Sequence, residues 1–309
     1  MKTAIVLIAH GTVDRLDDLP AFLANIRHGH APSAGLVDEV RRHYEAIGGR
    51  SPMNAVCREV AKKLEARLGL PTRVAMRLWK PTPLEVLEEL SRDGATRVVV
   101  IPLAQHSADV YADAVREAAR DLASNTGVTL QLATAPNWGR EPALTRAFAA
   151  EARRTLESIP SGARAKTTLL MTAHSLPLAV IRGGDPYETE VRASAEAVAA
   201  SVGGLVAHWE LAFQSQGMST GPGGRPMPWL GPDLRAALEG AVARGHTHVV
   251  VHPIGFLADH VEVLYDLDIV AQGLAKGLGL ELARTRSLNA SDGLIDALVN
   301  VAQPLLAPK

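Results

Sequence analysis

The chain alternates short, continuous apolar runs with longer stretches in which apolar positions follow helical spacing. The apolar runs are bounded by turn residues, which is typical of strands buried on both faces of a sheet. They predict strands at Ala4–Ala9, Val74–Leu78, Arg97–Leu103, Thr168–Thr172, Gly204–Trp209 and His248–Ile254. The amphipathic stretches predict helices at Met53–Leu68, Pro83–Asp93, Tyr111–Ala123, Pro142–Ser158, Glu188–Val202, Asp233–Ala243 and Ala290–Leu306. This order predicts an α/β fold with parallel sheets covered by helices.

Two segments of the first half recur in the second half. GATRVVVIPL at 94–103 resembles GHTHVVVHPI at 245–254, and IVLIAHGT at 5–12 resembles LLMTAHSLP at 169–177. Because both matches occur in the same order, the sequence predicts two similar α/β halves. The Pro160–Ala165 linker sets the expected domains at 1–159 and 160–287. The C-terminal helix, 288–309, is expected to pack back on the first half.

Composition and charge exclude several classes of protein. At 309 residues the chain is long enough for about two domains. Its 32 Lys and Arg balance 33 Asp and Glu, which argues against a nucleic-acid partner. Cys57 is the only cysteine, so no disulfide or cysteine-ligated iron–sulfur cluster is expected. No apolar run approaches the ~20 residues of a transmembrane segment, and a cytoplasmic location is expected.

Histidines stand at the ends of the predicted strands, where open α/β sheets bind ligands. His10, His106, His174 and the 259–262 loop occupy these ends, which predicts a histidine-lined cleft between the halves. His174 follows an apolar strand directly. Two explanations remain open for it: an imidazole that caps the strand end, or one that faces the cleft as a proton acceptor or metal ligand.

An acidic segment, GFLADHVEVLYDLD, covers residues 255–268. Asp259 and Glu262 have the spacing of a helix capping box, which is one explanation for Glu262. Glu262 and Asp266 also share one helix face, where carboxylates can pass divalent cations or protons. A solvated helix face is the alternative.

Two weaker patterns complete the candidates. His246, His248 and His252 share a strand parity, which permits a metal site, but the favoured explanation is an exposed strand start for His246 and His248 and core packing for His252. The glycine-rich segment before Ser51 and Pro52 predicts a helix N-terminus that can accept an anion.

With these positions in place, the chain resembles the ferrochelatases, which insert ferrous iron into a porphyrin in haem synthesis. The resemblance is carried by AHGT at 9–12, IRHG at 26–29, YEAIGGRSP at 44–52, AMR at 75–77, TAHSLP at 172–177, GDPY at 184–187, QS at 214–215, WLGP at 229–232 and PIGFLADHVEVLYDLD at 253–268. It implies two Rossmann-like halves around a porphyrin cleft, with His174 and Glu262 as the catalytic pair.

The resemblance also implies the remaining site residues and partners. Metal contacts are expected from His174, Glu262 and Asp266, and porphyrin contacts from Arg27, Ser51, Asp14 and Trp209. Porphyrin and Fe²⁺ are the expected substrates, with no tightly bound cofactor. Transient contact with other enzymes of the haem pathway is also expected.

Three departures from the family pattern qualify these expectations. Asp14 stands where many relatives have a tyrosine, His28 follows Arg27 where a second arginine is usual, and Val270 replaces an outer carboxylate beyond Asp266. The small, polar stretch 24–33 favours coproporphyrin III over protoporphyrin IX as the substrate. A sirohydrochlorin-type chelatase and a non-catalytic porphyrin or haem carrier remain the alternatives.

Overall fold

The structure, a computed structural model, describes residues 2–217 and 227–307. These residues form two units. The first unit comprises the described residues up to Ala143, Leu257–Val261 and the described residues from Asn289 onward; the second comprises those of Leu144–Phe256 and Glu262–Leu288.

Each unit contains a four-stranded parallel sheet. The strands of the first unit are β1 (Thr3–Ala9), β2 (Thr72–Met76), β3 (Arg97–Pro102) and β4 (Gln131–Thr134), in the spatial order β2-β1-β3-β4. Those of the second unit are β5 (Thr167–His174), β6 (His208–Gln214), β7 (His248–His252) and β8 (Glu281–Arg284), in the order β6-β5-β7-β8. The predicted α/β fold with parallel sheets is confirmed.

Helices connect the strands, as parallel pairing requires. They are α1 (Leu19–Ile26), α2 (Ala34–Ala46), α3 (Met53–Leu68), α4 (Pro83–Arg92), α5 (Ala108–Thr126), α6 (Pro142–Ser158), α7 (Ser161–Arg164), α8 (Leu178–Arg182), α9 (Tyr187–Val202), α10 (Leu234–Ala243), α11 (Val261–Leu264), α12 (Gln272–Gly277) and α13 (Asp292–Leu306). A π-helical stretch, Asp266–Ala271, separates α11 from α12. Among the residues described, no helix has both the length and the apolar character needed to cross a bilayer.

The repeat in the sequence is also a repeat in strand register. Thr3 pairs with Arg97 in the first unit, and Thr167 pairs with His248 in the second. Arg97 and His248 are equivalent positions of one pair of aligned segments, and Thr3 and Thr167 each lie two residues before the other pair. The two sheets therefore have the same strand order and the same central register, because equivalent apolar runs must face equivalent helices.

The prediction of a strand at Gly204–Trp209 is wrong in its position. A 3₁₀ turn occupies Gly203–Leu205, and β6 begins only at His208, where pairing with β5 starts. Gly203 ends α9 with a φ of +65°, a conformation that glycine adopts without steric cost. The predicted elements do not include the edge strands β4 and β8 or the helices α1, α2, α7, α8 and α12, and α7 lies inside the predicted linker. Each of the two strands has only four residues, which are partly exposed, so neither shows a continuous apolar run.

His252 is a buried residue of the second sheet rather than a ligand. It is 1% exposed, its Nδ1 lies 2.8 Å from Thr285 Oγ1, and the Phe148 ring meets it edge-on at 5.2 Å. Burial lowers the pKa of the His252 imidazole to about 3. The folded protein therefore contains this histidine in its neutral form.

We expect His252 to destabilise the fold in mild acid. Below pH 6.5 the unfolded chain binds a proton here that the folded chain rejects, so the free energy of unfolding falls by about 1.4 kcal/mol per pH unit from this group. The loss begins near pH 6.5 and continues toward pH 3. Urea unfolding of wild type and His252→Gln between pH 7 and pH 4.5 measures it, since glutamine does not titrate. His30→Gln, at an exposed site, is the control. Parallel pH dependences for wild type and His252→Gln would contradict the expectation.

Candidate active site

His174 is the last residue of β5, the central strand of the second sheet. The strand before it is fully buried, whereas the His174 side chain is 35% exposed. Its Nδ1 lies 2.5 Å from the Ser175 carbonyl oxygen, and the Tyr187 hydroxyl donates to the His174 carbonyl at 2.9 Å. Because a carbonyl oxygen only accepts hydrogen bonds, Nδ1 carries a hydrogen in this contact. The imidazole is thus fixed by backbone on one side and presents Nε2 on the other.

Glu262 supplies the carboxylate that His174 faces. It is the second residue of α11, and its Oε1 lies 3.5 Å from His174 Nε2. Gly255 brings this segment close to β5: its N–H donates to the Thr172 carbonyl, and a Cβ there would lie 2.7 Å from Ala173 Cα. A side chain at Gly255 would therefore push the acidic segment away from His174.

The capping-box explanation for Glu262 does not describe the structure. Glu262 lies at the second position of its helix, and its carboxylate is directed to His174. Asp259 makes a different contact: its carboxylate accepts a hydrogen bond of 2.9 Å from the Asn289 amide. The spacing of the two acids thus serves two separate interactions.

The contacts of His174 shift its titration toward the charged form. Burial lowers the pKa of the His174 imidazole, but the Glu262 carboxylate, the Ser175 carbonyl and Asp266 outweigh burial and raise it to about 9. The environment of His174 therefore favours the charged imidazolium beside the Glu262 carboxylate.

Asp266 lies in the same acidic segment, at the start of the π-helical stretch. Its carboxylate accepts a hydrogen bond from the Ser215 hydroxyl. Gln214, the last residue of β6, donates from its amide to the Glu262 carbonyl at 2.9 Å. Gln214 and Ser215 belong to the motifs that carry the family resemblance, but the sequence by itself predicts no contact with the acids for either residue. Their place at the end of the strand that neighbours β5 is a second signal.

Trp209, a predicted porphyrin contact, is not brought near His174. It pairs with Leu169 near the start of β6, whereas His174 pairs with Gln214 at its end. Trp209 and Gln214 are five residue steps apart, which corresponds to about 16 Å along the strand. The register of β6, which the sequence did not reveal, separates the two side chains.

The other predicted porphyrin contacts belong to the first unit. Asp14 is exposed in a bend after β1. Arg27 ends α1, and its buried Nε has no hydrogen-bond partner among the described residues. Ser51 is buried just before α3, where its hydroxyl accepts from the Met53 N–H at 3.4 Å. Their roles toward a porphyrin stay predictions.

The first unit has a counterpart of the His174–Glu262 pair with different chemistry. His10 follows β1 as His174 ends β5, and its Nδ1 lies 3.3 Å from the Tyr111 hydroxyl. An asparagine side chain accepts a 2.8 Å hydrogen bond from the backbone three residues before each partner: Asn137 from Ala108, and Asn289 from Asp259. The repeat thus places Tyr111 where the second half has Glu262. At these two equivalent positions the first unit has a phenol and the second unit has a carboxylate.

The alternative metal site on β7 does not form. His246 contacts Thr168 Oγ1 at 2.7 Å, His248 lies 3.3 Å from Glu281, and His252 is buried. Within residues 2–217 and 227–307, no three His, Cys, Asp or Glu side chains are arranged to bind a metal ion. The His174–Glu262 pair is the strongest candidate for chemistry in the described chain.

The chain is similar in sequence and in fold to known proteins. A family model described as Ferrochelatase matches residues 2–305. The chain is 37% identical to a Ferrochelatase of Acidobacterium capsulatum, over 98% of this chain and 94% of the relative. It is 34% identical to a Coproporphyrin III ferrochelatase of Geobacillus kaustophilus, over 97% and 95%. Among solved structures, SirB from Bacillus subtilis with Fe³⁺ matches with a TM-score of 0.62 at 15% identity, over 99% of this chain and 96% of SirB, which shows a shared fold.

Proposed function

The chain belongs to the ferrochelatase family, and from this premise we propose that it inserts Fe²⁺ into coproporphyrin III, with His174 and Glu262 acting at the ring nitrogens. Insertion of ferrous iron into a porphyrin for haem synthesis is the family's activity. The observation that carries the proposed site is the contact of 3.5 Å between His174 Nε2 and Glu262 Oε1, at the carboxyl end of β5.

The pair suits the proton balance of the reaction. A free porphyrin carries two pyrrole N–H groups, and both protons leave when Fe²⁺ takes their place. With Nδ1 bonded to the Ser175 carbonyl, His174 first passes its Nε2 proton to the Glu262 carboxylate, and the neutral imidazole then accepts a pyrrole proton at Nε2. Glu262 also offers carboxylate oxygens to the incoming Fe²⁺, a ligand type that divalent iron accepts.

Asp266 extends the acidic face beyond Glu262. Ferrous iron approaching the ring sheds water ligands, and successive carboxylates can replace them; once the iron has moved to the ring nitrogens, the same carboxylates can receive the released protons. Val270, where the family pattern has a further carboxylate, is 40% exposed and apolar. We propose that the row of carboxylates that serves the reaction consists of Glu262 and Asp266 and ends at Asp266.

The choice of coproporphyrin III rests on the anion-binding capacity of the first unit. Coproporphyrin III has four propionates and protoporphyrin IX has two. Arg27 offers a buried Nε–H without a partner among the described residues, which a carboxylate can accept. Several relatives of similar identity bear the name Coproporphyrin III ferrochelatase, whereas others are named simply Ferrochelatase.

Steady-state kinetics on a porphyrin panel tests the proposal. Anaerobic insertion of Fe²⁺ into coproporphyrin III, protoporphyrin IX and sirohydrochlorin is followed by absorbance in detergent-free buffer. We expect the highest kcat/KM for coproporphyrin III. A clear preference for protoporphyrin IX would overturn the substrate assignment, and turnover of sirohydrochlorin alone would overturn the reaction class. Binding of porphyrin with no metal uptake in a single turnover would indicate a carrier.

We expect Arg27→Ala to weaken the binding of coproporphyrin III, the tetracarboxylate, more than that of protoporphyrin IX, the dicarboxylate. A charge-assisted hydrogen bond is worth about 1.5–3 kcal/mol, so KM for coproporphyrin III should rise roughly ten-fold or more. The KM for protoporphyrin IX should change less, because this porphyrin has fewer propionates that the Arg27 guanidinium can bind. Arg42→Ala, at an exposed position of α2, serves as the control. Equal effects on the two porphyrins would remove Arg27 from substrate selection.

A further inference from the structure

Gln214, the last residue of β6, and Ser215, the residue that follows it, contact both acids of the site. Gln214 donates from Nε2 to the Glu262 carbonyl at 2.9 Å, and Ser215 donates from its hydroxyl to the Asp266 carboxylate. Gln214 also pairs with His174 in the sheet, and its carbonyl accepts from the Ser175 N–H at 2.7 Å. One dipeptide is therefore bonded to the histidine strand and to the acidic segment.

The stability of the fold does not account for a glutamine at position 214. The residue is 2% exposed, and its Oε1 is buried without a partner. An unpaired buried acceptor is unfavourable, and an apolar side chain of similar size would avoid it. The hydrogen bond from the amide nitrogen of Gln214 to the Glu262 carbonyl explains why this position has an amide.

Ser215 has a local conformation that points the same way. Its φ is +60°, a left-handed conformation in which serine is disfavoured and glycine or asparagine is not. In this conformation the hydroxyl reaches Asp266. A residue chosen only for the turn would be glycine, so the hydroxyl contact is the distinguishing property of serine here.

The acidic segment needs such external contacts. Glu262 lies in α11, which has only four residues, and the π-helical stretch that follows changes the hydrogen-bond pattern. So short a helix fixes its side chains weakly by itself. In the first unit, the register places Arg77 at the position equivalent to Gln214, and its guanidinium lies over the Tyr111 ring at 5.5 Å. The glutamine therefore accompanies the carboxylates and is not a general property of the repeat.

We propose that Gln214 and Ser215 are positioning residues for metal insertion. Gln214 fixes the backbone of Glu262 so that its carboxylate faces His174, and Ser215 fixes the Asp266 carboxylate in a position separate from that of Glu262. This inference rests on the proposed roles of Glu262 and Asp266. In this proposal the two residues affect kcat and KM for Fe²⁺ through the two acids, and they do not contact the porphyrin.

The first test is Gln214→Met, which retains size and removes the amide donor. We expect kcat/KM for Fe²⁺ to fall about ten-fold, through a higher KM for Fe²⁺ and a lower kcat, while KM for porphyrin stays within two-fold. Gln216→Met is the matched control, since Gln216 is exposed and its amide contacts the Leu230 carbonyl. Equal changes in both KM values would overturn the proposal, because a general loosening of the fold affects both substrates.

The second test is a double-mutant cycle, which separates positioning from an independent structural role. On the Glu262→Gln background, Gln214→Met should cause no further loss beyond about two-fold. A full additional ten-fold loss would show that Gln214 does not act through Glu262. If Glu262→Gln alone is fully active, the proposed role of Glu262 fails; if it is impaired while Gln214→Met is normal, the positioning inference alone fails.

Ser215 provides a test that does not depend on the folding of a position-214 variant. Ser215→Gly removes the hydroxyl and relieves the φ, whereas Ser215→Asn tolerates the φ and supplies an amide donor. We expect glycine to raise KM for Fe²⁺ three-fold or more, and asparagine to restore most of the loss. The glycine variant should have no effect on the Asp266→Asn background. A normal Ser215→Gly enzyme, or an asparagine variant no better than glycine, would overturn the role of Ser215.

Discussion

Replacing His174 with alanine is expected to lower kcat for iron insertion by about 100-fold or more, the range for loss of a general acid–base group. The imidazole is held by the Ser175 carbonyl and presents Nε2 to Glu262 at 3.5 Å. Alanine removes this imidazole, so the proposed transfer of pyrrole protons loses its first acceptor. Porphyrin binding should remain measurable, because the contacts proposed for the propionates lie on other residues.

Single-turnover absorbance and porphyrin titration separate these two effects. His248→Ala is the control: this histidine belongs to the same sheet but lies at the start of β7, paired with Glu281. It should leave kcat unchanged. Retention of more than about a tenth of the wild-type rate by His174→Ala would be inconsistent with the expected size of acid–base catalysis and would remove His174 from the mechanism.

Glu262→Gln is expected to lower kcat/KM about 100-fold, and Asp266→Asn less than about ten-fold. Glu262 faces His174 directly, whereas the Asp266 carboxylate is bonded to Ser215, one step further along the segment. Glutamine retains the shape of the side chain but removes the negative charge that receives a proton and attracts Fe²⁺. At Asp266, water can replace the lost carboxylate.

Asp268→Asn is the matched control for both acids. Asp268 belongs to the same π-helical stretch, but its carboxylate forms an ion pair with Arg284 at 2.5 Å. Its replacement should leave kcat/KM within two-fold of wild type. Equal large losses at Glu262 and Asp266 would show that the acids work as one relay, and a fully active Glu262→Gln would leave that residue with a structural role only.

The local pattern of apolar residues was sufficient to predict the strands that are buried on both faces. The apolar runs of β1, β3, β5 and β7 are continuous because helices cover both sides of these central strands, and their ends follow from the turn residues that flank them. The position of His174 at a strand end is therefore visible in the sequence. The resemblance to the ferrochelatases, carried by contiguous motifs, pointed to Glu262 as its partner. The division at 159/160, the cytoplasmic location and contacts with haem-pathway enzymes stay predictions.

The sequence by itself determined which segments become central strands and that the second half carries a histidine and a file of acids, because these properties depend on residues close together in the chain. Only the tertiary structure decided which of them meet. Trp209 and Gln214 belong to one strand, and the β5–β6 register alone places Gln214 beside His174 and Trp209 far from it. The bonds from Gln214 to Glu262 and from Ser215 to Asp266 join residues about fifty positions apart. Such contacts depend on the packing of a segment against a sheet edge, which local periodicity does not encode.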